Sequence, residues 1–200
     1  CFAAETALLM GNAGWTIDFA ALEKTLADPR VKVLLFCSPH NPVGRVWTAD
    51  EIRRTAQIAH QAGVLFVCDE IHGEFVFGGS RYLPAAQVEG VDPLRTVILT
   101  SPTKTFNLAG AGIAAIIAAG PKVRAKIDRA INDNECCDVN VFGVAADIAA
   151  WNQGEEWLEA LLSYLQGNLA AAQAFFAEKL PLCRLSKLEG TYLLWADMRP

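Results

Sequence analysis

The chain has 200 residues, of which 52% are hydrophobic and 20% charged, and its formal net charge is −5. This apolar content supports a buried core and excludes a disordered chain. The acidic balance, without any basic run, argues against a nucleic-acid partner. The longest apolar stretch, Leu108–Gly120, is too short and too glycine-rich to span a bilayer, so no membrane partner is expected.

The first half of the chain contains apolar runs typical of strands buried on both faces of a parallel sheet. They cover residues 31–37, 64–71 and 95–101, and residues 111–120 are a further candidate strand. Between the first two runs, Thr48 and Glu51 form a capping-box pattern, and Gly63 marks a helix end. Strand, helix and strand in this order predict a right-handed βαβ unit.

The second half is predicted to be mainly helical. Helices are expected over residues 121–134, 138–151 and 155–180, and Cys183–Met198 is read as two strands with a turn at Glu189–Gly190. We therefore predict an α/β fold with a mostly parallel sheet sandwiched by helices. Residues 1–152 belong to a large domain in this prediction, and residues 153–200 form a connecting helix and the start of a small C-terminal α+β domain.

The cysteines indicate a reducing compartment. The chain has six, which are Cys1, Cys37, Cys68, Cys136, Cys137 and Cys183. No pair has CxxC spacing, and Cys37 and Cys68 fall inside predicted strands, where a thiol behaves as a small hydrophobe. A reduced, cytoplasmic protein is expected rather than a disulfide-linked one.

The stretch "SPTKTFNLAG" places a lysine just beyond the strand at 95–101. Lys104 follows the hydroxyl residues Ser101 and Thr103, and no acid lies near it in sequence. A lysine that is out of bulk water and has no acidic partner loses proton affinity and becomes a nucleophile. The alternative is a solvated surface lysine beside hydroxyls that only cap local backbone groups.

Two other strand ends carry polar residues that belong to the same sheet edge, where ligands bind in open parallel sheets. Asp69 ends the second strand and His72 follows it, while Asn41 lies in "SPHNPVGR" after the first. An acid at the rim of a dry sheet needs a partner, for which a protonated ring nitrogen would serve. The alternatives are a capping role for Asp69, a structural role for His72 and a simple turn at Asn41.

Taken together, these residues match the chemistry of pyridoxal phosphate. Lys104 offers an amine for its aldehyde, Asp69 an acid for its ring nitrogen, Asn41 a donor for its ring oxygen, and Ser101 and Thr103 hydroxyls for its phosphate. No metal site is expected, because the histidine and cysteine spacings match no zinc pattern.

The segments "SPHNPVGRVW", "CDEIHGEF", "SPTKTFNLAG" and "EGTYLLWADM" resemble the fold-type I pyridoxal-phosphate enzymes of the class I/II aminotransferase family. They are most similar to the branch of cystathionine β-lyases of the MalY/PatB kind. The resemblance implies that Lys104 is the Schiff-base lysine, Asp69 the partner of the pyridine nitrogen and Asn41 a donor to the ring hydroxyl. It also implies that His72 takes the place of an aminotransferase tyrosine, that Ser101 and Thr103 bind phosphate, and that Asn41–Pro42 is a cis peptide.

The resemblance further implies a homodimer, an amino-acid substrate and a pyridoxal-phosphate-binding large domain over residues 1–152. It leaves open whether the reaction is carbon–sulfur β-elimination or transamination. Family members are longer at both ends, so the chain is expected to be a piece of a longer protein, with a non-catalytic product as a further alternative. Gly112 stands where related aminotransferases often carry a phosphate-binding arginine, eight residues after the lysine.

Other classes fit the sequence less well. A cofactor-free Schiff-base aldolase would need a closed eight-stranded barrel, which the long helix at 155–180 argues against. A nucleotide-binding module would need a glycine fingerprint after the first strand, and "SPHNPVG" is not one.

Overall fold

The computed structural model describes residues 3–11 and 14–199, which form helices packed around a four-stranded sheet. The elements in chain order are β1 (Leu8–Gly11), β2 (Gly14–Ile17), α1 (Phe19–Leu26), β3 (Val33–Cys37), α2 (Ala49–Gln61), β4 (Leu65–Asp69), β5 (Thr96–Thr100), α3 (Pro102–Thr105), β6 (Ala115–Ala118), α4 (Pro121–Asp133), α5 (Val141–Gln153), α6 (Glu155–Lys179), β7 (Arg184–Leu185) and β8 (Ala196–Asp197).

The central sheet has the strand order β3-β4-β5-β6. The first three strands run parallel, and β6 runs antiparallel to β5. In the register, Cys37 pairs with Asp69, and Asp69 pairs with Leu99. The carboxyl ends of β3, β4 and β5 are therefore level, which is the condition for the residues after them to meet at one edge.

Helix α2 covers one face of this sheet and begins with the predicted capping box. Thr48 Oγ1 accepts a hydrogen bond from the Glu51 N–H at 3.2 Å, and the Glu51 carboxylate accepts one from the Thr48 N–H at 2.8 Å. The buried stripe of the helix, Ile52, Ala56 and Ala59, belongs to one core cluster with Phe66 and Cys68 of β4. The predicted βαβ unit is confirmed.

The other face of the sheet carries Asp69. Because side chains alternate along a strand, Asp69 points away from Cys68 and α2 and shares its face with Cys37 and Leu35. Leu35 is 63% exposed, so this face is incompletely covered.

The C-terminal residues contain the two predicted strands, which pair antiparallel with Arg184 opposite Asp197 and Leu185 opposite Ala196. The strands β7 and β8 are only two residues each, and Glu189 and Gly190 do not form a tight turn between them. Instead, the N–H groups of Glu189 and Gly190 both donate to the Gly44 carbonyl, and Gly190 bridges Val76. The chain therefore reverses direction around Glu189–Gly190, but through a longer loop that packs onto the first half of the chain.

Helix α6 spans 25 residues and begins directly after Gly154, which caps both α5 and α6. This is the place of the predicted division between domains, which stays a prediction. Across the described ranges, no helix combines the length and the apolar content needed to cross a membrane.

Candidate functional site

Asp69 stands at the carboxyl end of β4, in the middle of the parallel part of the sheet. Its carboxylate accepts a hydrogen bond from the Ile71 N–H at 3.2 Å, and its carbonyl accepts one from the Ser38 N–H at 2.9 Å. The side chain is half-buried. The Ile71 contact is a local cap, which leaves the second carboxylate oxygen available to a ligand.

Lys104 lies in α3, the single turn of helix that follows β5. It is half-buried, and its amine makes no hydrogen bond or ion pair with any residue that the structure describes. The amine is therefore half-sheltered and unpaired among the described residues, and its role as a nucleophile stays a prediction.

The hydroxyls beside Lys104 are engaged locally. Ser101 caps α3 by accepting from the Thr103 N–H at 3.1 Å, and its hydroxyl donates to the Ile113 carbonyl at 2.6 Å. The Ser101 and Thr103 hydroxyl oxygens lie 2.7 Å apart and share a further hydrogen bond. Gly112, close by, has a φ of 58°, a conformation that an arginine would adopt only with strain.

His72 is buried, with 4% of its surface exposed, and neither ring nitrogen has a hydrogen-bond partner in the described part of the chain. Burial lowers the pKa of this imidazole, the positive charge of Lys104 lowers it further, and the Asp69 carboxylate opposes both. The imidazole is therefore held neutral, and its electrostatic neighbours are the same two residues that the sequence singles out.

Asn41 lies in the loop that follows β3. The Asn41–Pro42 peptide bond is cis, which confirms the prediction, and the Ser38–Pro39 bond is cis as well. The Asn41 side chain is exposed and unpaired among the described residues, while its N–H lies beside the Cys37 thiol. Asn41 is thus at the same sheet edge as Asp69, with a free amide to offer.

Two residues next to the site, Cys37 and Tyr192, are not predicted as site residues from the sequence. Cys37 pairs with Asp69 across the sheet, and burial raises the pKa of its thiol, as does the Asp69 charge. Strand alternation combined with the register would have placed Cys37 here. Tyr192 packs edge-on to the His72 ring with centroids 5.3 Å apart, although 120 residues separate them in sequence. No local signal identifies that contact.

A buried carboxylate stabilises the loop that carries His72. Glu70 accepts hydrogen bonds from the Ala85 N–H at 2.8 Å and from the Tyr82 hydroxyl, and burial raises its pKa. The Tyr82 ring also closes over Gly73, where a Cβ would lie only 2.8 Å from it. Residues 70–85 are therefore fixed at both ends.

Arg45 holds the loop that carries Asn41. Its guanidinium donates to Glu189 at 2.6 Å, to Glu51 at 2.8 Å and to the Trp15 carbonyl at 2.9 Å. Burial alone would raise the pKa of Glu189, but the Val46 N–H, Arg45 and Lys187 together lower it. One side chain thus joins β2, the start of α2 and the C-terminal segment.

The residues present fit pyridoxal phosphate better than a metal ion. The described residues contain no cluster of three or more histidine, cysteine, aspartate or glutamate side chains placed to hold a metal. They do contain an unpaired amine, a carboxylate with a free oxygen, an unpaired amide and a neutral imidazole whose nitrogens lack partners. These are the groups that an aldehyde, a ring nitrogen and a ring oxygen would use.

Comparison with known proteins gives one consistent family. The family model described as aminotransferase class I and II matches residues 5–200. The curated relative named cystathionine beta-lyase PatB, from Bacillus subtilis, is 35% identical over 190 residues, which cover 95% of this chain and 49% of that protein. The protein named MalY, from Escherichia coli, is 36% identical over 188 residues, which cover 94% of this chain and 47% of MalY. The chain spans about half the length of these relatives.

Solved structures agree. A PLP-bound putative aminotransferase from Clostridium difficile superposes with a TM-score of 0.89 at 34% identity, covering 95% of this chain and 49% of that one. A PLP-bound C-S lyase from Staphylococcus hominis superposes with a TM-score of 0.87 at 30% identity, covering 96% and 48%. These similarities confirm the predicted α/β fold class, that of the fold-type I enzymes.

Proposed function

Because the chain belongs to the aminotransferase class I and II family, we propose that it carries the cofactor-binding part of a pyridoxal-phosphate-dependent carbon–sulfur β-lyase. The substrates would be cystathionine- or cysteine-type L-amino acids, and the products pyruvate, ammonia and a thiol. The observation that carries the proposal is that Asp69 ends β4 and Lys104 follows the adjacent parallel strand β5, while the buried His72, three residues after Asp69, has no partner for its ring nitrogens in the described part of the chain. The names of the relatives, cystathionine beta-lyase and C-S lyase, support the choice of reaction.

When bound, pyridoxal phosphate supplies an aldehyde that bonds to amines and a pyridinium ring that withdraws electrons from the α-carbon of the substrate. Lys104 Nζ would bind the aldehyde carbon, and Asp69 would hold the proton on the ring nitrogen. Asn41 Nδ2 would donate to the ring oxygen, and the neutral His72 imidazole would lie beside the same oxygen.

Ser101 and Thr103 are proposed to bind the phosphate. Their hydroxyl protons are both used within the turn, by the Ile113 carbonyl and by their mutual hydrogen bond. At least one of these hydroxyls would have to rotate toward the phosphate, and that hydroxyl would exchange one hydrogen bond for a charge-assisted one.

Lys104 would have a second role in the proposed reaction. When it is not bonded to the cofactor, its Nζ would accept the proton of the substrate α-carbon as a general base. Loss of that proton would leave an electron pair for cleavage of the Cβ–S bond, with the sulfur departing as a thiolate. Hydrolysis of the remaining three-carbon fragment would give pyruvate and ammonia.

The alternative is an aminotransferase, which the family name and the name of the Clostridium structure favour. Lys104, Asp69 and Asn41 would serve either reaction, since both begin with removal of the α-proton. A second alternative is a chain that keeps cofactor contacts but has no activity of its own, since it spans about half the length of its relatives.

The test supplies cystathionine to the complete protein without any 2-oxo acid. We expect pyruvate, ammonia and free thiol to form in equal amounts. In a parallel assay, an amino donor and a 2-oxo acid replace cystathionine. Intact cystathionine together with rapid amino transfer would contradict the lyase and establish the aminotransferase.

We also propose a homodimer in the cytoplasm, with residues up to 152 in the large domain and those after it in the connecting helix and small domain. The exposed apolar side chains of Val141 and Phe142, 74% and 80% exposed, are candidates for the subunit contact. Free thiols at all five cysteines within the described ranges support a reducing location.

A further inference from the structure

The rings of His72, Phe75 and Tyr192 form a cluster, in which Tyr192 lies on the solvent side. Its centroid lies 5.3 Å from that of His72 and 5.0 Å from that of Phe75, both in edge-on geometry. Tyr192 is 39% exposed, whereas Phe75 is fully buried and His72 almost so. Among these rings, Tyr192 is the one that faces solvent.

The backbone beside Tyr192 is held in a conformation that threonine rarely adopts. Thr191 is fully buried with a φ of 66°. Its N–H donates to the Phe75 carbonyl at 3.0 Å, and its hydroxyl accepts from the Leu193 N–H at 3.1 Å. Two hydrogen bonds thus fix the direction in which the next side chain, Tyr192, leaves the backbone.

Gly190, which precedes Thr191, allows the C-terminal segment to pack closely against Val46 and Phe75. A Cβ on Gly190 would lie 2.7 Å from the Val46 side chain and 2.9 Å from the Phe75 carbonyl. Only a residue without a side chain fits between the loop after β3 and the residues that follow His72. The segment Gly190–Tyr192 therefore forms a fixed wall of the site, although it comes from the far end of the chain.

From this geometry we propose that Tyr192 is a positioning residue that keeps water away from both ring nitrogens of His72. The role in catalysis rests on the proposed function: a dry, neutral imidazole beside the cofactor oxygen neither gives up a proton nor adds a positive charge there. The charged groups that act on His72 are Lys104 from α3 and Asp69 from β4, and both would remain in a Tyr192 variant.

The experiment measures His72 itself in the complete protein without cofactor. Imidazole NMR signals are followed through a pH titration, and the His72 signal is assigned from its absence in His72→Gln. In Tyr192→Ala, the His72 pKa is expected to rise toward its ordinary value of 6.5, because water reaches the ring. Tyr192→Phe should leave the pKa low, since it keeps the ring and removes only the hydroxyl.

A matched control is Tyr164→Ala, which removes an exposed tyrosine from α6 and should leave His72 unchanged. Carbethoxylation of His72 by diethyl pyrocarbonate, read by mass spectrometry, should be slow in the parent and fast in Tyr192→Ala. An unchanged pKa and slow modification in Tyr192→Ala would overturn the inference. If Tyr192→Ala does not fold, Tyr192→Leu decides: equal protection of His72 by leucine would show that no aromatic ring is needed.

Activity gives an independent readout. In the cofactor-loaded protein, the acid limb of the pH–rate profile should move to higher pH in Tyr192→Ala and stay in place in Tyr192→Phe. A changed His72 titration without any lyase activity in the parent would uphold the role of Tyr192 and refute the proposed function. Lyase activity in the parent together with an unchanged His72 titration in Tyr192→Ala would support the proposed function and refute the role of Tyr192.

Discussion

At the scale of single residues, the proposed site contains two half-buried charged side chains, Lys104 and Asp69, that do not form an ion pair with each other. Lys104 lowers the pKa of His72 and Asp69 raises it. Burial is the largest effect, and it lowers the pKa in favour of the neutral ring. Neither Lys104 nor Asp69 has an ion-pair partner within the described ranges.

Replacing Asp69 by asparagine keeps the shape of the side chain and removes its charge. We expect the Asp69→Asn variant to lose about 100-fold or more in the rate of thiol release, since a protonated ring nitrogen would lose its anionic partner. The matched control is Asp128→Asn, which alters an exposed aspartate of α4 and should leave the rate unchanged. Equal rates for Asp69→Asn and the parent would remove Asp69 from the site.

The sequence predicts the residues that follow strand ends but not those that come from elsewhere. Asp69, Asn41 and Lys104 are visible because each follows an apolar run, and parallel strands present these positions together. Placing Cys37 beside Asp69 requires the register between β3 and β4, which a single sequence does not give. Tyr192 requires the long-range packing of the C-terminal segment on the residues after His72.

At the scale of elements, a network centred on Arg45 holds the loop after β3 in place. Arg45 joins Glu51 in the α2 capping box to Glu189 in the C-terminal segment, and its guanidinium stacks on Trp47 at 4.8 Å. The side chain is 17% exposed, and those of the two glutamates are 21% and 12% exposed. The network is therefore shielded enough from water to matter for stability.

Truncation of Arg45 tests this network. Arg45→Ala should lower the free energy of unfolding by about 1.5–3 kcal/mol, because two partly buried carboxylates lose their hydrogen-bond donors. Arg129→Ala removes an exposed ion pair within α4 and should cost less than about 1 kcal/mol. Chemical denaturation of both variants gives the comparison. Equal losses would mean that the Arg45 network contributes no more than a surface pair.

The elements with strong local signals follow their prediction, and those shaped by tertiary contacts do not. The capping box of α2, the strands around it and the long α6 match because their patterns are local. The glycine of Glu189–Gly190 suggested a hairpin turn, yet Gly190 is needed for close approach to Phe75 and Val46. The antiparallel pairing of β1 with β2 has no counterpart in the sequence prediction, since these strands of four residues are too short for a clear alternation.

At the scale of the whole molecule, the sheet face that carries Asp69 is covered only in part. Val33, Leu35 and Ile116 share this face and are 51%, 63% and 46% exposed. Apolar surface of this kind on a sheet normally packs against another part of the protein or another copy. The 200 residues alone should therefore associate with themselves.

A charge on this face should reduce that association. Leu35→Lys is expected to lower the average mass of the 200-residue chain measured by sedimentation velocity, because a lysine at the centre of a contact must be desolvated. Leu182→Lys changes a leucine that is 83% exposed and away from the sheet, and it should have no effect. A monomeric parent chain, or the same mass for the parent and Leu35→Lys, would contradict the expectation.

The proposed cofactor site is tested most directly by the identity of the lysine that bonds to the cofactor. The complete protein is loaded with pyridoxal phosphate, reduced with borohydride, digested and mapped by mass spectrometry. We predict one pyridoxyl group on the peptide containing Ser101–Lys104, its loss in Lys104→Ala and its retention in the control Lys122→Ala. A label on Lys122 or Lys126, or one that persists in Lys104→Ala, would contradict it.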